Sequence, residues 1–528
     1  MSDSTTNSSS RGRRSSGGRA GRQATRAAPL TQDKKAIWPG MLGGSYKPLS
    51  DSDVTKIIDA AFTILETIGM GEAPESHIAL ATAKGAWVKD NGRICYPRSM
   101  VEDIVDGAPS SFVLHGRDPK HDLEVGGQRV HYGTGGAAVN VLDFHTGKYR
   151  ETSLVDLYDF ARLADHLENV HWFTRSVVAR DVLNDFALDV NTVYACAAAT
   201  QKHIGTSFVF GSHVKPIVSM FDMMLGEEGG FKKRPFCKVH ISPVVSPLRF
   251  GEDAVNVAEA AIPEGMPINS IMAAQSGATA PATLAGMLAQ TTAEILASLV
   301  MVNLIKPGHP MIFSNWPFVV DLRTGAFACG GAEIALLNAA SAQISNALNM
   351  PSGVAAGMAD SKVPDAQAGY EKAVSAVTCG LAGANMIYES SGMFASLLSA
   401  SFEGMVLDND IVGTALRVVR GIEVNDETLA LESMAEVTSG PNHFLGHDQT
   451  LNSMQSHYYY PEVSDREPPE TWEEQGSRTS WDLLKTRTTE ILNDHYPSYI
   501  DRKIDEQIRS KYPILLDPKD MSNQNPRF

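Results

Sequence analysis

INSIMAAQSGATAPATLAGMLAQTTAEILASLVMVNLIKPGHPMIFSNWPF, residues Ile268–Phe318, decides the fold. It opens on a short β-rich run, crosses a polar loop, enters a long apolar helical stretch, turns at Lys306-Pro307-Gly308 and ends on a second β-rich run. Two strands joined by a helix run parallel, because the crossover brings the chain back to the end from which it started. The helical stretch Thr283–Ile305 is apolar enough to resemble a membrane span. Gln290, Thr291, Thr292, Glu294 and Asn303 interrupt it, and no aromatic belt precedes it. It reads as a buried helix of a protein with no membrane partner.

Working outward, the same unit recurs. Strand-like runs fall at Val130–Leu142, Trp172–Ala179, His203–Phe210, Phe236–Val245, Ile268–Ala274, Met311–Phe318, Gly353–Met358 and Met386–Ser390. Helical segments follow them at Leu154–Leu167, Phe186–Gln201, Lys215–Leu225, Glu252–Ala261, Ala282–Ile305, Gly331–Leu348, Asp365–Gly383 and Asp410–Val419. Eight alternations predict an α/β fold, a (β/α)8 TIM barrel over residues 129–422. An open doubly wound sheet is the alternative, but no GxGxxG follows the first strand.

The flanks differ. Residues 1–30 are Ser, Gly, Arg and Ala, too polar to offset the entropy of ordering, and predict a disordered arm. Arg13-Arg14 has no apolar segment after it and does not read as an export signal. Residues 31–128 predict a helical cap, with Ile57, Ile58, Ala61, Ile64, Leu65 and Ile68 lining one face. Residues 423–528 predict a C-terminal helical lobe containing PNHFLGHDQTLNSMQSHYYYPE, Pro441–Glu462.

Composition excludes several functions. The 528 residues are 43% hydrophobic, enough for a full core, and the net charge of −16 argues against nucleic acid as a ligand. Five scattered cysteines without CxxC spacing fit neither a disulfide framework nor a zinc ribbon, and point to the cytoplasm.

In such a barrel the active site lies at the C-terminal strand ends. The later ends carry polar or aromatic residues among small ones: AAQSG, FSNWPF, AGMADSK and YESSG. Asp360 and Glu389 are the candidate catalytic carboxyls, which as an acid/base pair would suit a lyase or hydrolase. Asp360 with Lys362 would equally make a structural ion pair, and Ser276, Ser361 and Ser390 would equally cap helices. His203, His213 and His240 show no HxH or HExxH spacing, so no directly bound metal is expected. No GxSxG marks a nucleophile.

Three motifs, AGMADSKVPDAQAGYEK (Ala356–Lys372), AQSGATAPATLAGMLAQ (Ala274–Gln290) and HFLGHDQTL (His443–Leu451), resemble the trimethylamine methyltransferase family, and the likeness runs from about Ser50 to Tyr499. The resemblance implies a (β/α)8 barrel that takes a methyl group from a methylated amine. It also implies a separate corrinoid protein as partner, whose cobalamin cofactor, as cob(I)alamin, accepts the methyl. Founding members carry pyrrolysine in the barrel, whereas this chain has ordinary residues there, Ala359 to Lys362 among them. It therefore resembles the pyrrolysine-lacking branch, similar to glycine betaine:corrinoid methyltransferases.

Leaving-group chemistry agrees with that branch. A quaternary ammonium departs as a neutral tertiary amine and needs no activation. Aromatic faces and a carboxylate recognise such a head. Trp316, Phe318, Tyr388 and Tyr132, with Asp360 or Glu389, are the candidates, and Gln275, Lys362 or Arg249 would hold a betaine carboxylate. Under the family analogy, Gly135, Gly136, Ser276, Gly277 and Gly392 would approach the corrinoid. A homo-oligomer is the expected assembly. A non-catalytic betaine-binding protein is the remaining alternative.

Overall fold

The structure is a computed structural model and describes residues 35–528, so the arm expected over residues 1–30 lies outside the described residues. Eight strands build the centre: β1 (Arg129–Tyr132), β2 (Trp172–Thr174), β3 (His203–Thr206), β4 (Cys237–Ile241), β5 (Ile268–Met272), β6 (Met311–Asn315), β7 (Ser352–Ala355) and β8 (Met386–Tyr388). In space they run β1-β8-β7-β6-β5-β4-β3-β2, with every paired neighbour parallel. A ninth strand, Met41–Leu42, adds antiparallel to β1.

The ends of this series lie near each other. The His171 N–H donates to the Tyr132 carbonyl (2.8 Å) and the Thr134 N–H to that of Trp172 (3.5 Å). The result is a mixed α/β fold around a curled, nine-stranded, mostly parallel sheet.

The crossover helices are α1 (Leu154–His166), α2 (Asp185–Ala199), α3 (Val214–Leu225), α4 (Glu252–Ala261), α5 (Leu284–Ile305), α6 (Ala332–Ala347), α7 (Ala366–Leu381) and α8 (Phe402–Arg420). Of these, α8 starts eight residues before the expected Asp410, capped by Ser401, whose hydroxyl accepts from the Gly404 N–H. The expected run Val130–Leu142 is interrupted after Tyr132, and Asn140–Leu142 joins a separate small sheet. Gly133 stands at the break and lies against the Trp172 ring, which a Cβ there would overlap.

One described helix, α5, is long and apolar enough to cross a membrane, and 89% of its most apolar window is buried within the protein. Most of its polar residues are satisfied in place, Thr292 Oγ1 being an exception. The Glu294 carboxylate accepts from Ser246 Oγ (2.7 Å), the Leu248 N–H (2.9 Å) and Gln290 Nε2 (3.0 Å). Helix Asp51–Thr63 lays Val54 and Ile57 against α5 and α6, sharing an apolar cluster with Met287, Leu288, Leu337 and Ile344. A hairpin, Ser111–Leu114 with Leu123–Gly126, contributes Leu114, Leu123 and Val125 to the cluster inside the sheet.

The chain divides into two compact units. Ile422–Tyr460 belong to the smaller, which has short helices at Asp426–Leu429, Leu431–Thr438 and Asp448–Ser456. Pro39–Gly421 and Pro461–Phe528 form the larger. Within the larger unit the C-terminal segment is fastened to α1 by Arg162, whose guanidinium donates to Asp159 (2.7 Å) and to the carbonyl of His495 (2.9 Å).

Candidate active site

Strand alternation sorts side chains into two sets. On β4, Cys237, Val239 and Ile241 enter the apolar layer between sheet and helices, which leaves Lys238 and His240 on the inner face. On β2, Phe173 joins that outer layer while Trp172 faces inward; on β6, Met311 and Phe313 go out and Ile312 goes in. Met386 and Tyr388 of β8 and Ala355 of β7 complete the inner set, with Trp316 and Phe318 just beyond β6.

Two kinds of polar group line this interior. One is a hydrogen-bonded belt: Thr174 Oγ1 lies 3.3 Å from His240 Nε2, Asn269 Nδ2 lies 3.2 Å from His240 Nδ1, and Ser314 Oγ donates to Asn269 Oδ1. Gly205 and Gly353 lie beside it and leave room for it. A Cβ on Gly205 would come 2.6 Å from Thr174 Oγ1, and one on Gly353 would overlap Ser314 Oγ.

The other kind is unpartnered. Lys238 Nζ, Tyr388 Oη, Trp316 Nε1 and both carboxyl oxygens of Glu389 are buried without a hydrogen-bond partner among the described residues. The rings cluster around Tyr388, with centroids 5.1 Å to Trp172, 5.2 Å to Trp316 and 5.3 Å to His240. A cavity of about 300 Å³ lies at the C-terminal ends of β3, β4 and β5, lined by His240, Ser207, Phe208 and Ser242 and, on the side of α4, by Ile241, Ala254 and Val257; it touches the unpartnered set only through His240, which packs on Tyr388. That size suits a small ligand.

Burial governs the ionisation of this set. It pushes the Glu389 carboxyl up to about 8, against the opposing pull of Lys372, and the Lys238 ammonium down to about 7. His240 is held well below its ordinary value by burial, with Lys238 adding to the effect. Glu389 also has a left-handed backbone, φ +65°, a strained conformation for a non-glycine residue. Its carboxyl lies against the loop after β1, where a Cβ on either Gly135 or Gly136 would come within 2.7 Å of it.

The sequence-based site residues separate under this geometry. Trp316, Phe318 and Tyr388 share one inner cluster, and Glu389 follows Tyr388 directly. Tyr132 is a correction: its hydroxyl donates to the Ala376 carbonyl (2.8 Å), between the sheet and α7, because its place on β1 points outward. Asp360 and Glu389 share no hydrogen bond. The Asp360 carboxylate instead accepts from the Cys329 N–H (2.8 Å), the Gly330 N–H (3.0 Å) and Ser396 Oγ (2.8 Å), fastening the β6, β7 and β8 loops together.

Two of the three carboxylate-holding candidates, Lys362 and Arg249, are engaged elsewhere too. Lys362 is exposed and donates to the backbone carbonyl of Asp360 (2.7 Å), which is not the side-chain ion pair the sequence suggests. Arg249 pairs with Glu72 of the cap (3.3 Å). Gln275 lies in a short strand paired with Phe318, its backbone N–H donating to Thr279 Oγ1 (2.8 Å).

The loop residues expected to face a corrinoid mostly meet their own chain. Gly135 and Gly136 meet Glu389; the Gly392 N–H donates to Asp408 (2.6 Å); Ser276 Oγ donates to the Pro281 carbonyl (3.1 Å); Gly277, with φ +87°, lies beside Leu322. Among the described residues no group of three or more His, Cys, Asp or Glu is arranged to hold a metal ion.

Sequence reading missed Lys238 and Trp172, and weighed His240 only as a metal ligand. The signal was present: CKVHI alternates polar and apolar residues within a buried strand, the mark of a polar inner face.

A parallel sheet that encloses aromatic rings and unpaired ionisable groups near a small cavity is the framework of an enzyme for a small organic molecule. The family model "Trimethylamine methyltransferase (MTTB)" matches residues 14–512, and the chain belongs to that family of methyltransferases. It is 30% identical to the trimethylamine methyltransferase MttB of Desulfitobacterium hafniense strain DSM 10664 / DCB-2, over 87% of this chain and 92% of that one. It is 27% identical to a glycine betaine methyltransferase of Desulfitobacterium hafniense strain Y51, over 89% and 97%. Among solved structures, it is similar to the monomethylamine methyltransferase MtmB of Methanosarcina barkeri, with 13% identity, a TM-score of 0.45, and coverage of 90% and 91%.

Proposed function

We propose that this protein transfers a methyl group from a quaternary amine such as glycine betaine to the cob(I)alamin of a separate corrinoid protein. One observation carries the choice of donor: Tyr388, at the centre of the Trp172–Tyr388–Trp316 ring cluster, is followed directly by Glu389, a buried carboxyl with no hydrogen-bond partner among the described residues. Ring faces with a nearby carboxyl recognise a cation that cannot donate hydrogen bonds. The relatives act, by their names, on trimethylamine and on glycine betaine. The two contacts between β1 and β2 support the finer fold reading, a sheet closed into a (β/α)8 barrel. A cytoplasmic, homo-oligomeric protein completes the proposal.

The corrinoid protein is a second substrate. One N–CH3 bond breaks, its electron pair stays on nitrogen, and the methyl forms a bond to cobalt. The chain has three tasks. It orients the donor, presents one methyl outward, and keeps water away. No proton is required, which accords with an Asp360 occupied by loop hydrogen bonds. The donor nitrogen loses its positive charge as the reaction proceeds. An anion beside it therefore stabilises the bound donor more than the transition state, and Glu389 contributes to affinity without assisting the chemical step.

The test follows cob(I)alamin absorbance with the cognate corrinoid protein present. Glycine betaine or another quaternary donor is expected to give methylcobalamin, and trimethylamine none. No conversion across a broad panel of quaternary donors would reject the reading. Replacing Trp316 by Ala is expected to weaken donor binding about tenfold through loss of one ring face, and unchanged affinity would remove Trp316 from the site.

A further inference from the structure

We infer that Lys238 anchors a carboxylate on the methyl donor, so that the site selects zwitterionic quaternary amines over those that lack an acid group. This deepens the proposed function and rests on it.

The chain contains an internal comparison. Three lysines are buried in the large unit: Lys202, Lys238 and Lys372. The Lys202 ammonium donates to the carbonyls of Ala164 (2.6 Å), Leu167 (2.8 Å) and Val170 (2.7 Å). That of Lys372 donates to the Gly357 carbonyl (2.9 Å) and to Asp408 (3.0 Å). Each is satisfied, as a structural buried lysine should be. Lys238 is as deeply buried, with 0% exposure, and has no hydrogen-bond partner among the described residues.

Its surroundings are aromatic. The Lys238 Nζ lies 5.4 Å from the Trp172 ring centre and 5.6 Å from that of Tyr388. Rings moderate the burial of a cation but supply none of the three acceptors that its protons seek. A carboxylate from outside would.

Glu389 presents the opposite deficit. It is a fully buried carboxyl with two orphan oxygens, adjacent in the chain to the Tyr388 whose ring Lys238 faces. One loop touches both neighbourhoods, because Gly133 lies against Trp172 while Gly135 and Gly136 lie against Glu389. A molecule with a permanent cation at one end and a carboxylate at the other matches this pair. Tetramethylammonium matches only half of it.

Protonation gives the inference a signature separate from turnover. With Glu389 pushed up to about 8 and Lys238 down to about 7, much of the ligand-free site is neutral near pH 7.5. A zwitterion makes Glu389 release a proton and Lys238 take one up, and the two cancel. Tetramethylammonium draws only the release.

The experiment is titration calorimetry of the full-length protein in two buffers of different ionisation enthalpy, with glycine betaine and with tetramethylammonium. Wild type is expected to bind glycine betaine with a net proton exchange near zero, and tetramethylammonium with proton release. Lys238→Met is expected to bind glycine betaine at least about tenfold more weakly, hold tetramethylammonium within about twofold, and release protons with both. Lys238→Gln repeats the test with a polar side chain, should the Met variant fold poorly. Betaine affinity kept within about twofold, equal loss of both ligands, or no betaine binding by wild type at millimolar concentration would overturn the anchor. Binding needs no methyl transfer. Betaine binding that depends on Lys238 without any demethylation would sink the proposed reaction and leave the anchor standing.

Discussion

The interior of the sheet holds two polar populations. The belt of Thr174, His240, Asn269 and Ser314 is buried and internally hydrogen-bonded. The set of Lys238, Tyr388, Trp316 and Glu389 is buried and unpartnered. Burial and residue type do not separate them, since each contains titratable groups on inner strand faces or just past strand ends. What separates them is satisfaction. A satisfied belt stabilises and fixes the strands relative to one another, whereas an unsatisfied buried group lowers stability and persists where something else gains from it.

The largest effect is expected where the belt is broken sterically. Gly353→Ala places a Cβ into Ser314 Oγ, and β6 and β7 pair at that level, so neither strand has room to yield. The expected loss is about 3 kcal/mol or more, seen as a large fall in Tm or as insoluble protein. A variant of near wild-type stability would show that the belt is loosely packed and weaken the contrast with the unpartnered set.

The opposite sign is expected at Lys238. Its ammonium is held down to about 7 in the folded protein, below the 10.5 of the free side chain. Between those values the unfolded chain binds the extra proton, so wild-type stability rises with pH across that window and carries the full penalty below pH 7. Lys238→Met removes the penalty. The variant is expected to be more stable by on the order of a few kcal/mol near pH 6, with the gain fading towards pH 10. Thermal melts at several pH values check this, and a variant less stable than wild type at pH 6 would mean that Lys238 is satisfied after all.

Glu389 sharpens the comparison through ligand binding. Its carboxyl is pushed up to about 8, so at neutral pH the free site holds it mostly protonated. A quaternary cation favours the ionised form. Wild-type affinity for tetramethylammonium is therefore expected to rise with pH and level off above about 8, while Glu389→Gln binds about tenfold more weakly at high pH and shows no such rise. The same shift makes wild-type stability fall between about pH 4.5 and 8, since the folded state keeps a proton that the unfolded chain gives up, and the Gln variant lacks that fall. With methyl transfer as the readout, Glu389→Gln should raise KM and should raise kcat rather than lower it, because the charge removed stabilised the bound donor more than the transition state.

Much of the framework is legible in the sequence because its signals are local. Glu252–Ala261 spans the same residues in sequence and structure, and seven of the eight crossover helices begin within two residues of expectation. The site is legible in part. Glu389, Tyr388 and Trp316 stand at strand ends, where a parallel sheet puts its chemistry. The fate of Asp360 is not legible, since its partners lie 30, 31 and 36 residues away and meet it only in the folded loops. Nor is the inward set, which requires knowing which parity of each strand faces in. Once Val239 is known to face the helices, Lys238 and His240 follow from alternation alone.

Tyr132 tests that parity at the smallest scale. As an aromatic residue at a strand end, it has the same sequence credentials as Tyr388. In the fold its hydroxyl donates to the Ala376 carbonyl on α7, while the Tyr388 hydroxyl has no partner. Tyr132→Phe deletes one buried hydrogen bond and is expected to lower stability by about 1 kcal/mol without changing donor affinity. For Tyr388→Phe the stability term should be near zero or favourable, because the hydroxyl removed was never bonded in the ligand-free protein. Denaturant melts paired with donor titrations on the two variants read both quantities. A loss of donor affinity in Tyr132→Phe would put that ring in the site and reverse the assignment of faces on β1.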